Sequence, residues 1–260
     1  MTEINDVYQA SQLVCDAYAE QVKNTSGAVQ EFLIHKIKHT FQVAHEIMNI
    51  LFHEKELYNS FDKQDKQLVE ISAILHDLGR FYQHQNGQRI IPSTQFEHGT
   101  VAVNLLKKHP KFNNPMLLFA IGEHNHRLID YHNPYYTGLN ETDKKKAEIL
   151  AKLLRDADKL DNIRHTVYVG YFNFVKGFAD GPLSEGMKDD IKNRRPASID
   201  KVVTLIDRLA VYLAWVNDIY FDYTKEVIRD LDFVNCLISQ IKKVGVSAED
   251  IAFLEKYLTI

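Results

Sequence analysis

The sequence has two cysteines, one tryptophan and six prolines in 260 residues. Cys15 and Cys236 are too few for a disulfide scaffold or for a zinc site built on thiolates. Both are expected as reduced thiols in a cytosolic protein. A basic excess is lacking as well: 31 Lys and Arg face 35 Asp and Glu, for a net charge of -4. A general binder of phosphate backbones carries the opposite balance. No nucleic-acid polymer is therefore expected as a partner, although a local basic pocket for one phosphate-bearing ligand is allowed. No apolar stretch approaches the length needed to cross a bilayer. The opening "MTEINDVYQA" has neither a basic start nor an apolar signal core. A soluble cytoplasmic chain without a membrane partner is the expectation. Strand-like alternation is rare, no hairpin signal stands out, and internal repeats and low-complexity tracts are missing.

What remains is helical periodicity along almost the whole chain. Helices are predicted over 3–23, 31–53, 63–78, 96–108, 114–126 and 141–163, then over 199–221, 223–243 and 247–258. Gly79 is placed as the stop of the third. "HQNGQRIIPS" and "YHNPYYTGLN" read as loops, and "GFADGPLSEG" as the least structured segment. The fold class is all-α. Residues 1–260 form a single domain in this reading: a helical core over 20–165 with a helical extension, 166–260, packed on it.

Twelve histidines are present, and helical phase sorts them, because side chains three or four apart share a face. In the second helix Ile37, Phe41, Ala44, Met48 and Leu51 form the centre of the apolar arc, widened on one side by Val43, Ile47 and Ile50. His39 lies on that side and reaches inward, while His35 and His45 turn towards solvent. His76 and Asp77 end a helix that must bury Leu68, Ile71, Ile74 and Leu75. His98 shares the face of Val101 and Ala102, His124 that of Ala120 and Ile121. Asp158 extends the row Leu150, Leu154. Taken singly, a histidine at an apolar margin is usually a hydrogen-bonded structural residue, and a His–Asp pair at a helix end is usually a cap. An inward aspartate is harder to dismiss, since an unpaired buried carboxylate costs several kcal/mol. Six such groups on inward faces of five helices suit a two-metal site in a helical bundle.

The order His39, His76–Asp77, His98, His124, Asp158 resembles the signature of the HD-domain superfamily of metal-dependent phosphohydrolases, in its dinuclear branch. "KHTFQVAHEI", "AILHDLGRF" and "LLRDADKLDNIR" are similar to the family's blocks, as are "FEHGTVAVNLL" and "AIGEHNHR". The resemblance covers roughly residues 30–165. It implies an HD helical bundle and two divalent transition-metal ions, drawn from Fe, Mn, Zn, Co or Ni. His39, His76 and Asp158 would hold one ion, His98 and His124 the other, and Asp77 would bridge both. The six-ligand set resembles symmetrical diadenosine tetraphosphate hydrolases and some nucleotide phosphohydrolases. It differs from the cyclic-di-GMP branch, because the chain has no Gly-Tyr-Pro triplet and reads "HNH" where that branch has adjacent histidines. His126 is two positions from His124 and should point elsewhere.

The implied reaction is hydrolysis of a phosphoester or phosphoanhydride by an activated bridging hydroxide. The partner is a small phosphorylated substrate, a nucleotide or similar metabolite, and a homo-oligomer is compatible with the sequence. No Gly-rich phosphate loop or serine-nucleophile motif competes. With Asp77, Arg80 and Lys159 are the candidate catalytic residues. Arg80 follows the metal pair, and its fork suits two phosphate oxygens; a solvated arginine at a helix end is the plainer reading. Lys159 adjoins Asp158, where side chains usually point aside. Arg127, Arg194 and Arg195 are weaker phosphate candidates, and Tyr135 and Tyr136 would stack on a base or pack their loop. Two other functions remain open: a diiron oxygenase resembling inositol oxygenase, and a non-catalytic regulatory or binding module.

Overall fold

The computed structural model describes residues 4–169, 179–243 and 245–260. It divides into two compact units, Met1–Asp158 and Lys159–Ile260. The architecture is all-α, with one two-stranded hairpin among the described residues. In the first unit α1 (Ile4–Val22), α2 (Gly27–His53), the short α3 (Lys55–Ser60) and α4 (Lys63–Leu75) come first. A 3-10 turn, Leu78–Tyr82, leads into the hairpin β1 (His84–Gln85) and β2 (Arg89–Ile90). Then come α5 (His98–Leu106), α6 (Pro115–Glu123), the single turn α7 (Pro134–Thr137) and the long α8 (Glu141–Val169). The boundary between the units falls inside α8.

α2 packs on α1 and α4. Its buried stripe runs Val29, Leu33, Lys36, His39, Val43, Ile47 and Ile50, a succession of three- and four-residue steps. The stripe is therefore rotated from the expected arc. Val43, Ile47 and Ile50 sit at its centre, and Phe41 is 39 % exposed. The rotation carries His39 from the margin into the core, together with a lysine, Lys36. His45 is exposed as expected, whereas His35 is half-buried and stacks on His39 with ring centroids 6.1 Å apart.

α4 begins at a capping box: Asp62 accepts from the Asp65 amide at 2.8 Å, and Asp65 accepts from the Asp62 amide at 3.2 Å. It ends at Leu75, three residues short of the expected last helical residue, 78. Gly79 is not its stop. It lies in the following 3-10 turn, and its φ is not positive. A Cβ there would meet the His98 carbonyl oxygen at 2.1 Å and the Ala102 nitrogen at 3.1 Å. The missing side chain lets the first turn of α5 lie directly on the turn after the His–Asp pair. The segment read as a loop after it holds the hairpin, turned by Asn86 and Gly87 at φ 51° and 69°. Two consecutive positive φ values favour Asn-Gly, so that dipeptide is the sequence signal for the hairpin. α6 starts from Asn114, whose Oδ1 accepts from the Met116 and Leu117 amides, with Pro115 at the first helical position.

The second unit continues with α9 (Glu185–Lys192), α10 (Leu205–Leu213), α11 (Asp222–Asp230), α12 (Phe233–Lys242) and α13 (Ala248–Tyr257). Leu160, Met187, Leu209, Phe233, Leu237 and Leu254 belong to its core. Two expected helices are broken here. The one predicted over 199–221 restarts at Leu205, because Thr204 and Asp207 form a capping box. The one over 223–243 splits at Asp232, whose φ is 49°. α9 begins inside the segment taken as least structured. The first two residues of that segment, 177 and 178, lie outside the described residues.

Gly79→Ala tests the close approach to α5. The added methyl is expected to destabilise the protein by about 1–3 kcal/mol, as overpacking against rigid backbone does, read as a lower denaturant midpoint. An unchanged midpoint would mean that α5 yields freely.

Candidate metal centre

The six expected ligands come from five places in the first unit: mid-α2, the turn after α4, the start of α5, the end of α6 and the middle of α8. Asp77 is at their centre. Its backbone, φ -98° and ψ 14°, lies between the helical and extended regions, a sparsely populated zone where site residues recur. The carboxylate is almost wholly buried, and its two oxygens face different neighbours. Oδ2 lies 3.5 Å from His39 Nε2 and 3.6 Å from His76 Nε2. Oδ1 lies 3.4 Å from His98 Nε2 and 3.7 Å from His124 Nε2. Asp158 joins the first group through its Oδ1, 3.0 Å from His39 Nε2. Within the second group the Nε2 atoms of His98 and His124 are 3.0 Å apart.

Two of these rings have their tautomer fixed by backbone. His76 Nδ1 donates to the Ala73 carbonyl at 2.6 Å, and His124 Nδ1 donates to the Ile121 carbonyl at 2.6 Å. Each leaves a lone pair on Nε2, aimed into the cluster, which is how metal-binding histidines are oriented. His76 Nε2 is buried and makes no hydrogen bond. An orphaned acceptor of this kind is costly unless something electrophilic meets it. Among the described residues, two groups have donor atoms within 4.8 Å of one another: His39, His76 and Asp158, and His76, Asp77 and His124. Both are able to hold a metal ion. The donors are imidazole and carboxylate with no thiolate, a set that suits divalent transition metals.

The protonation states follow from burial and charge. Burial pushes His76 down to about 4, against the pull of Asp77. Burial, then Arg80, drives His98 well below its ordinary value. For Asp77 burial works upward, but Lys36, His76 and the other neighbours outweigh it and hold the carboxyl well below the usual range. Asp158 is lowered too: burial opposes this and the His39 hydrogen bond outweighs it, while 23 % of the side chain remains exposed. Neutral imidazoles and ionised carboxylates are the forms that bind metal.

Several contributors were not singled out in the sequence. Lys36 Nζ donates to Asp77 Oδ2 at 2.8 Å; its position three before His39 in the buried stripe was the available signal. Arg155 is 2 % exposed and donates to four backbone carbonyls. Nη1 reaches Glu123, His124 and His126 at 2.7, 3.3 and 2.6 Å, and Nη2 reaches Arg127 at 3.1 Å. It thereby caps the end of α6, where His124 stands. Glu123, also buried, accepts from His126 Nδ1, the Asp130 amide and Asn133 Nδ2. His126 is thus engaged by Glu123 and turned aside, as its spacing from His124 requires.

Of the remaining candidates, Arg80 stays beside the cluster, its Nε 3.4 Å from Asp77 Oδ1. Its Nη1 donates to Gln83 Oε1 at 2.6 Å and Ser93 Oγ at 3.1 Å. Lys159 belongs to the second unit and pairs with Asp218 at 2.7 Å. Arg195 pairs there with Asp189 and Asp190. Tyr136 packs on Phe119 and Tyr131, ring centroids 4.9 and 5.2 Å apart, and Lys107 lies 5.7 Å from the Tyr135 ring.

The family model described as HD domain matches residues 37–163. That segment contains His39, His76, Asp77, His98, His124 and Asp158. No curated protein and no solved structure matches the chain.

The buried histidines make stability fall with acid. The unfolded chain takes a proton at His76 near pH 6.5, the folded chain only near pH 4. Between those values the unfolded state binds more protons, so stability drops as pH falls from about 6.5 to about 4. His98 acts in the same sense, and the depressed carboxyls of Asp77 and Asp158 extend the loss to lower pH. Urea midpoints of chelator-treated protein should fall across this window, and His76→Gln should flatten the slope. A flat wild-type profile would refute the buried neutral state.

Proposed function

We propose that the chain is a metal-dependent phosphohydrolase that acts on a phosphoester or phosphoanhydride of a small metabolite, a nucleotide for preference. HD domains are in general metal-dependent phosphohydrolases. The observation that carries the reading is the division of Asp77: one oxygen turned to His39 and His76, the other to His98 and His124. A carboxylate so shared is suited to bridge two cations. When bound, such a pair supplies an activated water and offsets phosphoryl charge in the transition state.

The protein's own part is positional and electrostatic. His39, His76 and Asp158 would hold one ion, His98 and His124 the other, with Asp77 between. The backbone bonds at Ala73 and Ile121 keep two of the imidazoles aimed. Arg80 offers a guanidinium next to the bridging carboxylate, braced by Gln83 and Ser93, and is assigned the phosphoryl contact. Lys159, paired with Asp218, is left out of that contact.

The test combines elemental analysis of purified protein with a hydrolysis screen over nucleotides, dinucleoside polyphosphates and simple phosphoesters. Manganese, cobalt and nickel would be supplied in turn. Turnover should vanish after chelation and return with metal. Asp77→Asn should lower both metal content and turnover, the latter by at least about a hundredfold. Hydrolysis that persists undiminished in Asp77→Asn would reject the assignment. Oxygen consumption without hydrolysis would replace it with an oxygenase.

A further inference from the structure

Lys36 stands in the buried stripe of α2, on the same face as His39. Its side chain is 11 % exposed and that of Asp77 3 %. Lysine is seldom buried unless paired, and the Nζ–Oδ2 bond of 2.8 Å is the pairing. The oxygen it uses is the one that His39 and His76 approach. An ion held by those histidines and the ammonium of Lys36 would draw on the same oxygen.

Charge sharpens the conflict. Asp77 and Asp158 together carry two negative charges, and Lys36 and Arg80 carry two positive ones. The cluster is therefore balanced by its own side chains. Divalent ions add positive charge to a region of low dielectric, where like charges repel strongly. Release of one internal cation would relieve that repulsion. Arg80 is braced by Gln83 and Ser93. Lys36 has Asp77 as its one hydrogen-bond partner among the described residues, on a flexible four-carbon stem.

We propose that Lys36 is the internal countercation of Asp77, and that an ion entering beside His39 and His76 displaces its ammonium. Lys36 then sets the affinity of the centre for metal: it keeps the carboxylate paired without an ion and raises the concentration of metal needed to load the site. This rests on the metal-dependent reading above and adds a regulator to it.

Chelator-stripped wild type, Lys36→Met and Lys36→Arg would be titrated with manganese or cobalt against a chromogenic chelator. Lys36→Met should bind metal at least about tenfold more tightly than wild type, and Lys36→Arg should bind like wild type. Equal or weaker binding by Lys36→Met overturns the proposal. If that variant does not fold, the wild type carries the test. Acylation of Lys36 by an amine-reactive reagent, followed by mass spectrometry, should speed up on metal addition; an unchanged or slower rate overturns it. Absence of metal binding by the wild type itself would overturn the metal-dependent reading, an outcome separate from a wild type that binds but does not differ from Lys36→Met.

Discussion

A buried carboxylate must be compensated, and in this protein that carboxylate is Asp77. Left alone it would cost several kcal/mol. Four imidazoles, an ammonium and a guanidinium converge on it instead. Much of the first unit can be read as the means of bringing them there. α2 supplies Lys36 and His39 from one stripe, and α5 and α6 each supply a histidine at a helix end. The backbone at Asp77 leaves helical geometry just where the carboxylate has to face all of them.

The convergence is rigid because polar aim is set by backbone. His76 and His124 are each tied through Nδ1 to a carbonyl three residues earlier on their own chain segment. A ring held this way cannot turn its lone pair from the cluster without giving up a buried hydrogen bond. Gly79 adds a steric condition, since any side chain there would push His98 and its helix away. Rigid neutral imidazoles around a buried charge are poor for acid stability and good for metal affinity.

Helical phase is enough to place His39, His98 and His124 on inward faces, because a side chain at i±3 or i±4 from core residues faces inward. On α2 the apolar pattern alone gives the wrong phase, since Phe41 belongs to the apolar arc and is exposed. The true stripe runs through Lys36, and a lysine does not announce itself as buried until its partner is known. Arg155 was invisible for the same reason: its partners are four carbonyls, which carry no sequence signature. Asn86–Gly87 and the Thr204–Asp207 box carry local signatures that are legible in the sequence. The all-α class was plain from periodicity. The role of Gly79 was not, since its use depends on a helix nineteen residues further along the chain meeting it.

Arg155 matters for the reason that made it hard to see. It stands on α8 three residues before Asp158, and its guanidinium grips the carbonyls that follow α6. Asp158 belongs to the Oδ2 side of the cluster and His124 to the Oδ1 side. One buried side chain thus ties the helix that carries Asp158 to the segment that carries His124. Glu123 restrains the same stretch from within by accepting from Asn133 and the Asp130 amide. A shift of α8 along its axis would break charge-assisted bonds to backbone before it moved Asp158 relative to His124. The Oδ1 and Oδ2 sides of the Asp77 carboxylate are therefore tied to each other through Arg155 as well as through Asp77 itself.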